Sequence, residues 1–182
     1  MERKKDEMSD LARRLADGRE DAFDETVERY SRKVYGLCYR ILRDEEEAKD
    51  MTQEVFLKVY LKRKSFKGKS SLYTWIYRIC LNMCLSHLKK RKVQAVPLDR
   101  VEGQLQAKTA VGTDHGHLER LLSGALDKLP PRQRAVFTMR FYEKMTFKEI
   151  SEALGTSVGA AKANHHFAVE HLRQIFKEAD TR

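Results

Sequence analysis

The apolar residues Phe23, Val27, Tyr30, Val34, Leu37 and Ile41 recur at intervals of four and three. That spacing draws one face of a helix and does not match the period of two that a half-buried strand requires. A helical period returns at Ala48, Met51, Val55, Phe56 and Val59, then at Leu118, Leu121, Leu122, Ala125 and Leu129, and finally at Val158, Ala161, His165, Ala168 and Leu172. Only three prolines and nine glycines interrupt 182 residues, so long helices are allowed. No segment reads as a strand. The expected fold class is all-α.

Start and stop signals divide this pattern into elements. Residues 9–17 read as a short helix ended by Asp17-Gly18. Asp44, with Glu47 three residues on, reads as an N-cap with its capping-box partner. Gly68 breaks the pattern, and Ser70 or Ser71 can cap a fourth helix running to about Lys92. Pro131 suits a first helical turn. Thr146 and Glu149 repeat the box signature, Gly155 supplies a turn, and Ser157 caps the last helix. Between Val93 and His115 the chain has no steady period and holds Pro97, Gly103 and Gly112. Structureless stretches of this length are uncommon inside one compact domain. The expected architecture is therefore two small helical domains, a helix bundle over 1–92 and a helix-turn-helix domain over 117–182, joined by a flexible linker over 93–116.

Composition bounds the partners. The 36 basic and 27 acidic residues leave a formal charge of +9, which points to a polyanion. With 41% apolar and 35% charged residues, the chain is too hydrophobic for disorder. The opening "MERKKDEMSD" has no apolar core like that of a secretory leader, and no run approaches the ~18 apolar residues of a membrane span. Three cysteines, an odd number, argue against a disulfide framework. These features predict no membrane insertion and a reducing cytoplasm.

Three stretches carry chemistry. From Lys58 to Lys92 there are eleven Lys or Arg and no Asp or Glu, with Phe66, Tyr73, Trp75 and Tyr77 interleaved. At about 100° per residue, Leu72, Ile76, Ile79 and Met83 form a core stripe, and Trp75, Arg78, Asn82 and Lys89 a neighbouring one. A ring, a guanidinium, an amide and an ammonium on one line suit a nucleic-acid strand whose bases are unstacked, since duplex DNA hides its base faces. Just before it, Arg43–Glu54 carries six acids against two bases. There Asp50, Gln53 and Glu54 share one face, which is poor for DNA and good for a basic protein partner.

The third stretch, "TFKEISEALGTSVGAAKANHHFAVEHL", has the spacing of a helix-turn-helix. Ile150 and Leu154 face inward, Gly155 makes the turn, and Val158 and Ala161 pack back. The outward side of the second helix holds Gly159, Ala160, Ala163, Phe167 and Glu170, with Lys162 and His166 at its edges. Base reading through Lys162, His166 and apolar contacts is expected, with phosphate contacts from Thr156, Ser157 and Arg134. One surface suits duplex and the other opened strands.

In order and content these segments resemble the bacterial extracytoplasmic-function (ECF) sigma factors, the smallest members of the sigma-70 superfamily. "DMTQEVFLKVY" is similar to the segment that holds core RNA polymerase, and "SSLYTWIYRICLN" to the segment that melts and reads the −10 element. "LDKLPPRQRAVFTMRFYEKMTFKEISEALGTSVGAAK" resembles the region that reads the −35 element. The resemblance covers about residues 20–92 and 117–178. It implies a sigma factor that directs promoter recognition, melting and transcription initiation, often in a stress response. Asp50, Gln53 and Glu54, with Leu57, would dock on polymerase. Phe66, Lys67, Lys69, Ser70, Tyr73, Trp75, Arg78, Asn82 and Lys89 would handle the opened −10 strand. Thr156, Ser157, Lys162, Ala163, His166 and Phe167, with Arg134, would lie at the −35 duplex. An anti-sigma factor is implied as a further partner. The chain departs from the family at Ser86, where an aspartate is common, and at Asn164 and Phe167, where basic residues are common.

Other readings are weaker. Cys80, Cys84 and His87 share a helix side, but small buried thiols in a helix bundle account for them without a metal. No phosphate loop, nucleophile elbow or metalloprotease signature occurs, so neither an enzyme nor a cofactor is expected. A stand-alone helix-turn-helix transcriptional regulator is the first alternative, although it leaves the 58–92 run unexplained. An anti-sigma factor is the second, but the H-x-x-x-C-x-x-C motif common in that family is absent.

Overall fold

A computed structural model describes residues 10–94 and 114–180. The first helix, α1, covers 10–16 and stops at Gly18, whose φ of 88° favours a residue without a β-carbon. Arg14 bridges back to Asp10 and across to Asp21 and Glu25, tying α1 to α2 (Glu20–Leu42). The four-three stripe of α2 is buried at Tyr30, Val34, Leu37 and Ile41, with Phe23 and Val27 partly covered. Asp44 caps α3 (Glu45–Lys62) by accepting the Glu47 N–H at 2.8 Å. The expected return half of that box goes elsewhere. The Glu47 carboxylate turns to α4 (Leu72–Gln94), where it meets Arg91 at 3.2 Å and His87 at 3.4 Å.

The Ser71 hydroxyl accepts from the Thr74 N–H at the start of α4. Leu72, Ile76, Tyr77, Cys80, Leu81 and Cys84 are all buried, a broader band than the single expected stripe. The reason is position: α4 packs on α2 and α3 on one side and on α6 and α7 on the other. It is the central rod of the molecule.

The remaining helices are α5 (Asp114–Asp127), α6 (Pro131–Phe141), α7 (Phe147–Leu154) and α8 (Val158–Asp180). Helix therefore occupies both edges of the expected 93–116 linker, through Gln94 and from Asp114; residues 95–113 lie outside those described. Pro131 takes the first turn of α6 as expected. Both halves of the α7 capping box form between Thr146 and Glu149. Gly155, with a φ of 63°, turns the chain into α8, and the Ser157 hydroxyl accepts from the Ala160 N–H at 3.1 Å.

Two apolar cores result. A small one gathers Ala125, Leu126, Leu129, Phe137, Ala168 and Leu172 from α5, α6 and α8. The larger runs without a break from α1–α4 into Ala135, Val136, Met139, Met145, Ile150, Ala153 and Ala161 of the C-terminal half. Polar ties cross the same boundary. The hydroxyls of Tyr73 and Tyr77 both donate to Glu143 Oε2, at 2.9 and 2.8 Å. Arg43 pairs with Asp127, and Arg134 Nη1 donates to the Ile41 carbonyl at 3.0 Å. The two helical domains are therefore closed on each other. Among the described residues, no helix is long and apolar enough to cross a membrane.

Candidate nucleic-acid interface

The acidic face of α3 is open. Its buried side, Ala48, Met51, Val55, Phe56 and Val59, is consumed by the bundle. Asp50, Gln53 and Glu54 consequently project outward, and Leu57 beside them is 59% exposed. Leu61, one turn further, is 65% exposed and was not picked out from the sequence. Its signal was available, because a leucine four residues after Leu57 continues the same face. No ion pair holds Asp50 or Glu54 among the described residues, whereas Lys49 is engaged by Glu45 and Glu46. The face thus offers two free carboxylates, an amide and two aliphatic side chains.

Around the corner lies the aromatic-basic surface. The chain leaves α3 through a short 3-10 turn, Arg63–Ser65, and reaches Gly68, whose φ is 66°. Phe66 returns from this loop to pack edge-to-face on Trp75, ring centres 5.4 Å apart. Trp75 is half-buried: it backs on the core and leaves part of its ring in a groove of about 440 Å³. Lys58, Lys62, Arg78 and Asn82 line the same groove. The groove therefore has a ring at its floor, cations on its walls and no acid in its lining. Lys67 and Lys69 stand exposed on the loop beside it, with Ser70 half-covered.

Not every residue assigned to this surface converges there. Tyr73 points the other way, tilted against Tyr77 with ring centres 4.2 Å apart and its hydroxyl held by Glu143. Burial pushes the phenols of Tyr73 and Tyr77 well above their usual range, so both stay protonated donors. Lys89 lies further along α4, in a second cleft of about 540 Å³ between α4 and the C-terminal half. Asn82, Ser86 and Lys92 line one wall of that cleft, and Arg132, Thr156 and Asn164 the other.

The second helix of the helix-turn-helix presents the expected outward set. Lys162, Ala163 and His166 are exposed, and Phe167 is 53% exposed, a large share for a phenylalanine. Ile150 and Ala161 are buried as expected, and Leu154 is partly so. Val158, expected to pack inward, is instead 40% exposed, because it opens α8 before that helix has reached the core. Ser157 is exposed, but its hydroxyl already caps α8. Arg134 lies apart from this surface. Its Nη2 donates to the Asp127 and Leu129 carbonyls at 3.2 Å, and its Nη1 crosses to α2. A guanidinium whose two terminal nitrogens donate to three carbonyls holds the α5–α6 junction; in this closed form those nitrogens are not free for phosphate. Burial lowers its pKa below the usual arginine value.

Cys80 and Cys84 are buried thiols, as expected. His87 turns to Glu47, and Cys38 of α2 takes its place beside Cys80 and Cys84.

Residues 26–93 match the family model Sigma-70 region 2, and residues 119–172 match Sigma-70, region 4. The chain is 30% identical to the ECF RNA polymerase sigma factor SigW of Bacillus subtilis, over 88% of this chain and 92% of that protein. It is also 30% identical to the RNA polymerase sigma-H factor of Pseudomonas aeruginosa, covering 93% and 95% of the two chains. Among solved structures, CnrH in complex with the cytosolic domain of CnrY is similar at a TM-score of 0.70 and 21% identity, covering 92% of this chain and 96% of that one. The sigma factor RpoE of Bartonella quintana, in complex with the anti-sigma factor NepR, is similar at a TM-score of 0.68 and 20% identity, covering 85% and 96%. Those two likenesses concern the fold. Two matched regions in the right order, and relatives aligned almost end to end, place the chain in the ECF sigma factors of the sigma-70 family.

Proposed function

We propose that this sigma factor binds core RNA polymerase through α3, opens the −10 element in the Trp75 groove and reads the −35 element with α8. The first unit is taken as residues 1–92 and the reading unit as 117–182. One observation carries the assignment. The free face bearing Asp50, Gln53, Glu54 and Leu57 sits one turn of chain from a basic groove floored by a tryptophan. A face that suits a protein and a groove that suits an unstacked base thus share one rigid three-helix unit. The factor acts by binding, without chemistry of its own, and the melting free energy comes from captured bases at roughly 1–3 kcal/mol each, together with phosphate contacts. Action on polymerase places it in the cytoplasm. The sigma factor RpoE, of like fold, was solved with the anti-sigma factor NepR bound, which supports an inhibitor of that kind here too. The stand-alone regulator is disfavoured, because it has no use for the open α3 face.

Run-off transcription with purified core polymerase tests the reading. Asp50→Lys with Glu54→Lys should abolish initiation while circular dichroism stays helical, since both side chains are exposed. Unchanged transcription overturns the α3 assignment.

A further inference from the structure

The chain contains three cysteines, and all three meet at one point in the core. Cys38 comes from α2; Cys80 and Cys84 come from successive turns of α4. Cys38 Sγ lies 3.4 Å from Cys80 Sγ and 3.8 Å from Cys84 Sγ, and the three sulfurs lie within 4.8 Å of one another. All are fully buried and none is in a disulfide. Packing explains a buried cysteine, but it does not favour sulfur over alanine or valine three times at one spot.

We propose that these sulfurs form a three-coordinate site for a soft, thiophilic cation, and that copper(I) is the ion it suits. The spacing supports this. Three sulfurs in a plane about an ion at the usual ~2.3 Å metal–thiolate distance stand about 4.0 Å apart, so Cys84 at 3.8 Å from Cys38 is already in place and Cys80 at 3.4 Å needs only to move outward by about half an ångström. The donor set is sulfur alone, the choice of copper(I) over harder ions. Zinc and iron–sulfur centres call for a fourth ligand. No histidine, carboxylate or further cysteine joins the group among the described residues, and His87 is turned to Glu47. Each sulfur that becomes a thiolate releases one proton, so affinity rises with pH. Loading would clamp α2 against α4 inside the unit that carries both the α3 face and the Trp75 groove.

The test uses the full chain, reduced and kept under nitrogen. Copper(I) is titrated in competition with bathocuproine disulfonate, and X-ray absorption reads the coordination shell. One equivalent held by three sulfurs is expected, with a raised Tm. Cys38→Ser, Cys80→Ser and Cys84→Ser should each weaken retention by more than about tenfold, whereas His87→Ala should not. A parallel zinc(II) titration separates the ions. Tighter zinc binding with a four-ligand shell, or a two-sulfur or oxygen-containing copper shell in the wild-type protein, overturns the proposal. Those readouts do not depend on the serine variants folding.

Discussion

His165 shows how a single side chain couples the helix-turn-helix to pH. It falls on the apolar stripe of α8, and the structure stacks it on Phe137, ring centres 6.2 Å apart, with Phe147 edge-on at 5.4 Å. Burial, with Arg140 and His166 nearby, lowers its pKa from the ordinary 6.5. The folded form therefore holds a neutral ring while the unfolded chain accepts a proton. Below about pH 6.5 the unfolded state binds more protons, so stability falls as pH drops towards the folded value. Tm should decline between about pH 7 and 5.5, and His165→Phe should flatten that slope. An apolar-stripe position was legible for His165 because periodicity reports burial. Arg134 and Tyr73 were not legible in the same way. A lone arginine or tyrosine in a sequence does not reveal which carbonyl or carboxylate will claim it, and here both are claimed across the domain boundary.

At the scale of elements, caps were the most legible signals, because each is a short-range hydrogen bond set by neighbours in the chain. Thr146, Ser157 and Pro131 all act where the sequence placed them. Glu47 is the instructive exception: its local partner lost to Arg91 and His87 on α4, a long-range choice that spacing does not encode. The breadth of burial on α4 was missed for a related cause. A stripe of apolar residues predicts one packed face, and Tyr77 and Leu81 join the expected buried thiols in the core only because helices close on α4 from both sides. Thr146→Ala removes both halves of the α7 capping box. The expected cost is about 1 kcal/mol, or roughly 2–4 °C in Tm for a chain of this size, read by thermal melting. Because α7 positions α8, weaker binding of −35 duplex should accompany it.

The whole molecule poses a problem of reach. Elements whose positions differ by about 25 base pairs, as the numbers −10 and −35 do, lie roughly 85 Å apart along the duplex axis at 3.4 Å per step. A compact chain of 182 residues has a radius of gyration of only about 16 Å. On the proposed assignment of α4 to the −10 strand and α8 to the −35 duplex, the closed form, with Asn82 and Lys89 facing Thr156 and Asn164 across one cleft, cannot serve both elements at once. The domains must separate on the promoter, and polymerase is the partner large enough to hold them apart. What opposes separation is the shared apolar core around Val136, Met139 and Ile150, secured by the Glu143–tyrosine and Arg43–Asp127 ties. Each hydrogen bond to a charged group contributes about 1.5–3 kcal/mol, so losing these ties should shift the balance without melting either unit. Small-angle scattering of the double variant Glu143→Ala, Arg43→Ala should therefore show a larger radius of gyration than the wild type, with helical content unchanged. The same variant should need less polymerase to reach half-maximal transcription, because part of the opening cost has already been removed.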